Sequence, residues 1–446
     1  MTSPVIPDQR PQANAVQVSR PNWMEYVLVY GPFTLLLFGP LAFGAVSPLP
    51  IFILEAGAAA LFLLWLVRQV RSGELAISWN PLFPPMVAFV VVIAMQLVTK
   101  HTGYRYATYS DAMLYIAYGL LCFVIAQTLR RTSHLRLLAI AVSAFGFTIA
   151  LLALLQSASS SDKLYWLITP HNGGWVYGPY VNHNHYAGLM EMLIPVPLVI
   201  AFSQFAHGVM KRLAIIAAAI MAATLFLSGS RGGMIAFLFE LAVLAFFLVR
   251  QRSKSKFYMT WMFILFPMIL ALLLVWLGGS EFANRVTSIN NETRTEISGG
   301  MRMQITRDGL RMFKQKPLLG YGLDTFPEIY PEFRSIYTEI WINEAHNDYL
   351  QLLIETGALG FCVMLWFLWT MYSHALQKLS GWPDDRNGVL TLAAMLGCTG
   401  ILVHSFVDFN LHIPANAAIF YALCTIAAME PRFRKHYRHE RNRTAP

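Results

Sequence analysis

Residues 49–67 read LPIFILEAGAAALFLLWLV and contain one charged side chain, Glu55. A run of this length can cross about 30 Å of hydrocarbon as an α-helix. Arg68 and Arg71 follow the run directly, and positive charge marks the cytoplasmic ends of membrane helices. The segment therefore predicts a membrane-spanning helix that ends on the cytoplasmic side.

The whole sequence shares the composition of this segment. Of its 446 residues, 56% are hydrophobic and 13% are charged, and the mean hydropathy is +0.49. A soluble domain carries about 25% charged residues. The apolar runs do not alternate with period two, which argues against the strands of an outer-membrane barrel. The composition therefore predicts an all-α polytopic membrane protein.

Similar apolar windows recur along the chain and predict about twelve transmembrane helices. The windows are 25–44, 49–67, 82–99, 112–129, 135–156, 186–205, 213–227, 232–249, 257–277, 349–374, 389–406 and 413–429. The first twenty residues are polar and contain several prolines, so we expect the first span to serve as its own signal.

Basic residues collect in alternate loops between these spans. Members of this set are Arg10, Arg20, Arg68, Arg71, Arg130, Arg131, Arg136, Lys211, Arg212, Arg250, Arg252, Lys254, Lys256, Lys378, Arg386 and the tail from Arg432 to Arg443. By the positive-inside rule, this pattern places both termini in the cytoplasm of a multi-pass protein of the bacterial inner membrane. The opposite loops, including the long polar segment before the tenth span, are then periplasmic.

These assignments divide the chain into five parts. They are a disordered cytoplasmic N-terminus (1–22), nine helices (23–277), a large periplasmic loop domain (278–347), three helices (348–430) and a basic cytoplasmic tail (431–446). Within the loop domain, residues 301–314 have the pattern of an amphipathic helix.

Net charge and cysteine content limit the possible partners. The formal net charge of +9 is spread over short loops and one tail, so it does not indicate a nucleic-acid partner. All four cysteines fall within predicted spans, and their spacing favours neither a disulfide framework nor a zinc site.

Polar clusters occur at four places, and the predicted topology puts all four at or beyond the outer membrane surface. Asn182-His183-Asn184-His185-Tyr186 precedes the sixth span. Two histidines at i and i+2 can bind a metal, but no acidic or cysteine partner lies nearby, and amide-rich segments also bind sugars. The cluster therefore favours substrate hydrogen bonding over a metal site.

The second cluster, Ser228-Gly229-Ser230-Arg231-Gly232-Gly233, lies between two apolar runs. An arginine at the membrane edge is costly unless it is paired or bound to an anion. The glycines allow backbone N–H groups to approach a ligand at the start of the next helix, which indicates a phosphate site. The alternative is an arginine that reaches from a helix end towards the membrane surface.

The third cluster is basic. From Met301 to Lys316 there are five Lys or Arg residues and one acidic residue, Asp308. Arg302, Arg307 and Arg311 would attract a polyanionic group such as a pyrophosphate, although basic residues in an aqueous loop are most often only solvated.

The fourth cluster is Glu344-Ala345-His346-Asn347-Asp348, at the start of the tenth span. A histidine flanked by carboxylates at a membrane interface can accept a proton near neutral pH, or it can merely cap a helix. Asp408, His412 and His404 form a comparable group at the last outer turn, for which we favour hydrogen bonding between helices.

At these positions the chain resembles the O-antigen ligase and polymerase family of bacterial membrane glycosyltransferases. The resemblance covers roughly residues 178–418. The matching motifs are Asn182-His183-Asn184-His185-Tyr186-Ala187-Gly188, Ser230-Arg231-Gly232-Gly233, Arg302 upstream of Pro317-Leu318-Leu319-Gly320-Tyr321-Gly322, and His346-Asn347-Asp348-Tyr349-Leu350-Gln351 with Glu355-Thr356-Gly357.

The resemblance implies a GT-C-like, inverting and metal-independent glycosyltransferase without a cofactor. It would move a glycan from undecaprenyl pyrophosphate to a hydroxyl of a glycan, of lipid A core or of another acceptor, on the periplasmic face. By motif, His346 would be the catalytic base, and Arg231 and Arg302 would hold the donor pyrophosphate. Arg307 is a rival for Arg302, because the family's aromatic residue four positions later is here Thr306. Weaker candidates for substrate binding are Asn182, His183, His185, Tyr186 and Asn347.

Other functions also fit the motifs. Within the family, a ligase is favoured, and a repeat-unit polymerase or a protein glycosyltransferase is the alternative. A transporter or flippase of a lipid-linked anion belongs to a different class, because arginines and intramembrane acids also mark transport paths. Against it, the polar residues lie on one side, and no inverted repeat is visible. A scaffold of an envelope-assembly complex would leave the arginines without a role.

Overall fold

A computed structural model describes residues 23–129, 132–159, 163–170, 175–250, 268, 299–338 and 341–429. The α-helices in these ranges are α1 (Trp23–Leu41), α2 (Pro48–Ser72), α3 (Phe83–Val98), α4 (Arg105–Thr128), α5 (Thr132–Ala158), α6 (His183–Leu193), α7 (Pro195–Phe202), α8 (Gly208–Leu227), α9 (Arg231–Arg250), α10 (Gly299–Gln315), α11 (Phe326–Phe333), α12 (Asp348–Gln377), α13 (Arg386–His404) and α14 (Pro414–Ala428). Short 3₁₀ helices cover Phe43–Ala45, Trp382–Asp384 and Asn410–His412.

The predicted architecture of a polytopic helical membrane protein is confirmed. Among the described residues, nine helical segments are long and apolar enough to cross a membrane, and α3 and α14 are shorter apolar helices. Each predicted span has a helix at its position except 257–277, which lies outside the described residues apart from Met268.

The sixth predicted span differs from a single straight helix. It is divided into α6 and α7, and Pro195 is the first residue of α7. Proline lacks a backbone N–H, and its ring clashes with the carbonyl four residues earlier. The helical hydrogen-bond pattern is therefore interrupted at this proline. The helix also begins earlier than predicted, because the Asn182 side chain accepts a hydrogen bond from the backbone N–H of Asn184 (2.8 Å) and caps α6.

The centre of the bundle is formed by α6–α7 and α13. The most apolar window of α6–α7 is 89% buried and that of α13 is 78% buried, compared with 22% for α2. A helix that is apolar all round and buried all round lies inside the bundle, whereas α2 presents most of its surface outwards. Polar residues on α6 and α13 are therefore shielded from lipid by the surrounding helices.

The described part of the loop domain contains α10 and α11 and has its own small core. Ile305, Met312, Phe326 and Tyr330 pack there with Ile354 of α12. The predicted amphipathic helix at 301–314 is confirmed as α10. This core places the loop domain directly against the start of α12.

A backbone clasp joins the loop domain to α12. The N–H groups of Tyr321 and Gly322 donate to the carbonyls of Ile354 (3.1 Å) and Glu355 (2.9 Å), and the N–H of Ala358 donates to Pro317 (2.8 Å). Gly357 has φ 64° and ψ −169°, and a Cβ atom there would lie 2.3 Å from the Leu318 carbonyl carbon. The Pro317–Gly322 and Glu355–Gly357 motifs therefore bind each other.

Gln96, at the end of α3, holds the clasp in the bundle. Its Nε2 donates to the carbonyls of Leu319 (2.6 Å) and Glu355 (2.7 Å), and its Oε1 accepts from the N–H of Leu323 (3.3 Å). A buried side-chain amide that satisfies three backbone groups fixes their relative positions.

Contacts at the far ends of α12 and α14 define the opposite end of the bundle. The Lys378 ammonium donates to the carbonyl of Met429 (2.7 Å), and Asn80 Nδ2 donates to that of Thr425 (3.2 Å). Arg68 pairs with Glu25 at 2.9 Å, between the end of α2 and the start of α1. Basic residues of the predicted cytoplasmic set thus lie at helix ends away from the loop domain.

Candidate functional site

The segment Ser405–Phe409, which follows α13, lies at the centre of the site. The backbone N–H of Asp348 donates to the Ser405 carbonyl (3.0 Å), and Asn347 Nδ2 donates to the Phe406 carbonyl (3.0 Å). The Ser405 hydroxyl donates to Asp348 Oδ2 (2.6 Å). The start of α12 is therefore fixed onto this segment, which we call the 405–409 segment.

Two histidine–aspartate pairs cross between the start of α12 and the residues after α13. His346 Nδ1 lies 3.5 Å from Asp408 Oδ1, and His412 Nδ1 lies 2.7 Å from Asp348 Oδ1. The carboxylates beside His346 in the sequence are thus not its partners, since Asp348 binds His412 and Glu344 accepts from Gln351. The carboxylates nearest in sequence are therefore not the ones that face His346. Its partner is Asp408, which follows α13.

Asp408 is ionised in this arrangement. Burial by itself would raise the pKa of Asp408, but His346, His185 and His404 lower it well below the usual range of an aspartate. His412 is affected in the opposite sense. Burial would lower its pKa, but Glu344 and Asp348 raise it well above the usual value. The lowered pKa favours the ionised form of the Asp408 carboxylate, and the raised pKa favours the protonated form of the His412 ring.

His346 has an unusual backbone and limited exposure. Its φ is 51°, in the left-handed region that residues other than glycine rarely adopt. Such backbone strain concentrates at functional sites. Its side chain is 12% exposed, so the ring is neither sealed in the core nor free in solvent. The ring meets Phe409 edge-on with a centroid separation of 4.9 Å.

The Asn182–Tyr186 motif contributes one residue to this environment. His185 meets the same Phe409 ring at 4.7 Å, so it shares an aromatic neighbour with His346. The ring of His183 instead packs on Trp175 at 4.4 Å, and the Tyr186 hydroxyl donates to Thr224 Oγ1 (2.7 Å) within the core. The structure therefore brings His185 to the site and places Tyr186 in the packing between helices.

Arg231 is the first residue of α9, and its side chain is exposed. The adjacent Gly232 packs closely against the end of α13 and the residues that follow it. A Cβ atom on it would be 2.5 Å from His404 Cδ2 and 2.9 Å from Val407 Cγ2. The start of α9 can approach the 405–409 segment this closely because Gly232 has no side chain.

Arg302 reaches the same segment from the loop domain. Its Nη1 donates to the Val407 carbonyl (2.8 Å), and the side chain is partly buried. Arg307 is exposed and lies about 140° further around α10. Arg311 pairs with Asp308 and donates to the Phe333 carbonyl (3.1 Å). Of these three arginines, the structure brings Arg302 onto the 405–409 segment.

Asp308 organises the loop domain and is not part of the site. Its carboxylate accepts from the Ser335 N–H (3.0 Å), the Ser335 hydroxyl (2.9 Å) and the Tyr330 hydroxyl (3.2 Å). Burial raises the pKa of Asp308, but these hydrogen bonds and the one from Arg311 outweigh it, and the net pKa is lowered. Asp308 and Arg311 therefore join α10 to α11.

Acidic side chains collect beside His412. Glu344 accepts from Gln351 Nε2, which also donates to Glu355 (3.2 Å). Glu355 in turn accepts from the backbone N–H of Asp324 (3.0 Å). Burial raises the pKa of Glu344 to about 7 and that of Asp324 to about 6. These groups titrate near neutral pH.

A third acid–histidine pair lies behind the start of α9, and sequence reasoning identified its histidine, His404, as a hydrogen-bonding residue between helices but missed its acid, Glu191. His404 Nδ1 donates to Glu191 Oε1 at 2.8 Å, and both side chains are at most 1% exposed. A single acidic residue within the apolar run of the sixth span was the available signal, because an intramembrane carboxylate requires a partner.

The geometry allows two chemical roles. An imidazole oriented by a carboxylate can accept a proton, and arginines around one segment can bind an anion. In the described part of the chain, no group of three or more His, Cys, Asp or Glu side chains has the arrangement of a metal site.

Comparisons with known proteins agree with the motifs. An uncharacterized protein of Haemophilus influenzae is 25% identical over 214 residues, which cover 45% of this chain and 52% of that protein. The chain therefore spans about half the length of this relative. The family model described as O-antigen ligase matches residues 216–365, a segment that contains Arg231, Arg302 and His346. The match over this segment confirms the resemblance to the O-antigen ligase family that the motifs indicated.

Proposed function

We propose that the protein is a ligase-like glycosyltransferase that moves a glycan from undecaprenyl pyrophosphate to an acceptor hydroxyl. One observation carries the proposal. Val407 accepts a hydrogen bond from Arg302 and contacts the start of α9 beside Arg231, and the next residue, Asp408, faces His346. A candidate base, one guanidinium group and the helix start that carries a second arginine are thus grouped around two consecutive residues.

His346 is the proposed base. Its Nδ1 lies 3.5 Å from Oδ1 of Asp408, whose pKa is lowered. A carboxylate at one ring nitrogen fixes the tautomer in which the other nitrogen accepts a proton. Nε2 would remove the proton from the acceptor hydroxyl, and that oxygen would then bond to the anomeric carbon of the donor sugar.

Arg231 and Arg302 are the proposed ligands of the donor pyrophosphate. The bond from the anomeric carbon to the pyrophosphate oxygen breaks as the new bond forms, and negative charge develops on the leaving group. Guanidinium groups stabilise that charge, and one guanidinium can donate hydrogen bonds to two phosphate oxygens at once. Arg302 is preferred to Arg307 because it contacts the 405–409 segment, whereas Arg307 is exposed elsewhere on α10.

A single in-line displacement inverts the anomeric carbon, and the two arginines supply the charge neutralisation for which many phosphoryl enzymes use a divalent ion. We therefore propose an inverting and metal-independent reaction. His185 is the additional candidate for substrate contact, because it shares Phe409 with His346.

We place this reaction on the periplasmic face of the bacterial inner membrane, with both termini in the cytoplasm. The support comes from charge. Arg68 and Lys378 lie at helix ends away from the loop domain, and cytoplasmic ends of membrane helices are enriched in Lys and Arg. A lipid-linked donor would then enter the site laterally from the outer leaflet.

Purified protein in detergent micelles tests the activity. The donor is a fluorescent glycan on undecaprenyl pyrophosphate, the acceptor is lipid A core, and one arm contains EDTA. We expect a glycan–acceptor product in both arms and none with His346→Gln. Chains of growing length without acceptor would indicate a polymerase instead. Absence of any product, together with donor transfer across proteoliposomes, would indicate a transporter and would contradict the proposal.

A further inference from the structure

The pair formed by Glu191 and His404 packs against the start of α9, which carries Arg231. Glu191 belongs to α6 and His404 is the last residue of α13, so the pair joins the two central helices of the bundle. The Nδ1–Oε1 separation is 2.8 Å and both side chains are at most 1% exposed. Removing one partner would leave the other buried with an unmet hydrogen bond.

Residues on both sides of Arg231 contact this pair. His404 Nε2 lies 3.5 Å from the hydroxyl of Ser230. A Cβ atom on Gly232 would lie 2.6 Å from the same nitrogen, and a Cβ atom on Gly233 would lie 3.0 Å from Glu191 Oε1. The start of α9 therefore rests on the two side chains, and their positions set the position of the Arg231 backbone.

The same pair is linked to the second arginine. His404 precedes the 405–409 segment, and its carbonyl accepts the backbone N–H of Val407 (2.9 Å). The Val407 carbonyl accepts from Arg302. His404 thus has Arg231 on one side, through Gly232, and Arg302 on the other, through Val407.

Ser230, His404 and Glu191 have the order of a nucleophile, a base and an acid, but the surroundings of Ser230 argue against a nucleophile. Its side chain is fully buried, and its hydroxyl already accepts the N–H of Gly233 (3.2 Å) as a helix cap. A nucleophile must reach substrate, so these three residues support the structure around the arginine and do not attack.

We infer that Glu191 and His404 are positioning residues that set the spacing of Arg231 and Arg302 for the pyrophosphate of the donor. This inference rests on the proposed function. Bidentate binding of phosphate by guanidinium groups depends on geometry, and small displacements of binding groups cost affinity steeply. The glycines of the Ser230–Gly233 motif follow from the same arrangement, because a side chain at Gly232 would push α9 away from His404.

A double-mutant cycle tests the inference. Binding of undecaprenyl pyrophosphate is measured by thermophoresis for Glu191→Ala, for Arg231→Ala and for the double variant. We expect Glu191→Ala to weaken binding about tenfold when Arg231 is present and to have little effect when it is absent. Glu191→Gln, which keeps an acceptor for His404 Nδ1, should retain most of the affinity. Equal losses in both backgrounds would overturn the inference.

Two further variants make the result independent of folding. Tyr372→Phe removes a different interhelical hydrogen bond, between Tyr372 of α12 and Thr399 of α13 (2.8 Å), and should leave binding unchanged. If Glu191→Ala does not fold, Gly232→Ala takes its place, with the same loss expected. Unchanged binding in Gly232→Ala would contradict the inference. Wild-type protein that binds the probe but transfers no glycan would contradict the proposed function alone.

Discussion

His412 donates a hydrogen bond of 2.7 Å from Nδ1 to Oδ1 of Asp348. The contact between His346 and Asp408 joins the same two segments in the opposite sense. The histidine and the aspartate of one motif thus pair with the aspartate and the histidine of another. The crossed arrangement locks the start of α12 to the residues after α13. The two pairs have different proposed roles. His346, which has the strained backbone, is the proposed base, and the other pair is structural.

Replacing Asp408 tests the role of the His346 partner. We expect Asp408→Asn to lower the transfer rate by at least about 100-fold, because an amide does not fix the imidazole tautomer or stabilise its charged form. Binding of undecaprenyl pyrophosphate should be unchanged. Rates from purified protein provide the measurement, with Asp348→Asn as the comparison. Equal loss of rate in both variants would contradict the division of roles between the pairs.

The group around His412 makes stability depend on pH. Burial raises the pKa of Glu344 to about 7 and that of Asp324 to about 6, so folded protein keeps protons that the unfolded chain has lost. Stability from these groups is present at low pH and is lost as pH rises through 6 to 7. The raised pKa of His412 acts in the same direction, because its contribution is lost as pH rises through its folded value. The lowered pKa values of Asp308 and Asp408 act in the opposite sense, because their stabilisation is present at neutral pH and is lost only as pH falls into the acid range.

Glu344→Gln should therefore flatten this dependence. We expect the Tm of wild-type protein in detergent to fall between about pH 5 and about pH 8, and the fall to be smaller in the variant. Differential scanning fluorimetry of both proteins in the same detergent gives the comparison. An equal or larger fall in the Tm of Glu344→Gln would contradict the prediction that folded protein keeps a proton on Glu344.

The clasp between the loop domain and α12 requires glycine at position 357. Gly357→Ala would force a side chain into a backbone conformation that costs about 1–3 kcal/mol, in addition to its clash with the Leu318 carbonyl. We expect loss of folded protein, seen as loss of the monodisperse peak in size-exclusion chromatography.

Gly119→Ala is the matched control. Gly119 lies within α4, and a Cβ atom there would have no heavy atom within 4 Å apart from those of its chain neighbours and of its own helix backbone. This variant should be recovered as wild type. Normal yield and Tm for Gly357→Ala would mean that the clasp does not hold the loop domain.

The helices could be predicted because long apolar runs leave few alternatives in a membrane. The prediction of the sixth span also holds, since α6 and α7 together form one membrane-length segment, His183–Phe202, although the interruption before Pro195 was not predicted. The residues 257–277, predicted as a span, lie outside the described residues apart from Met268.

The site could be predicted only in part. His346, Arg231 and Arg302 were found because their motifs are local in sequence. Their partners were not, because Asp408 and Val407 come from a segment about sixty residues beyond His346, and only folding brings them together. Glu191 was missed for the same reason, since its partner His404 lies on another helix. Burial and pairing of polar groups depend on tertiary contacts that no window of sequence contains.

The central claim is that donor binding depends on Arg302 at the 405–409 segment. Its most direct test is the kcat/KM for glycan transfer by purified Arg302→Ala and Arg307→Ala variants. The two substitutions remove the same side chain from the same helix, but only Arg302 contacts Val407. We predict a loss of about 100-fold or more for Arg302→Ala and a change within about twofold for Arg307→Ala. Equal losses, or a larger loss for Arg307→Ala, would contradict the claim.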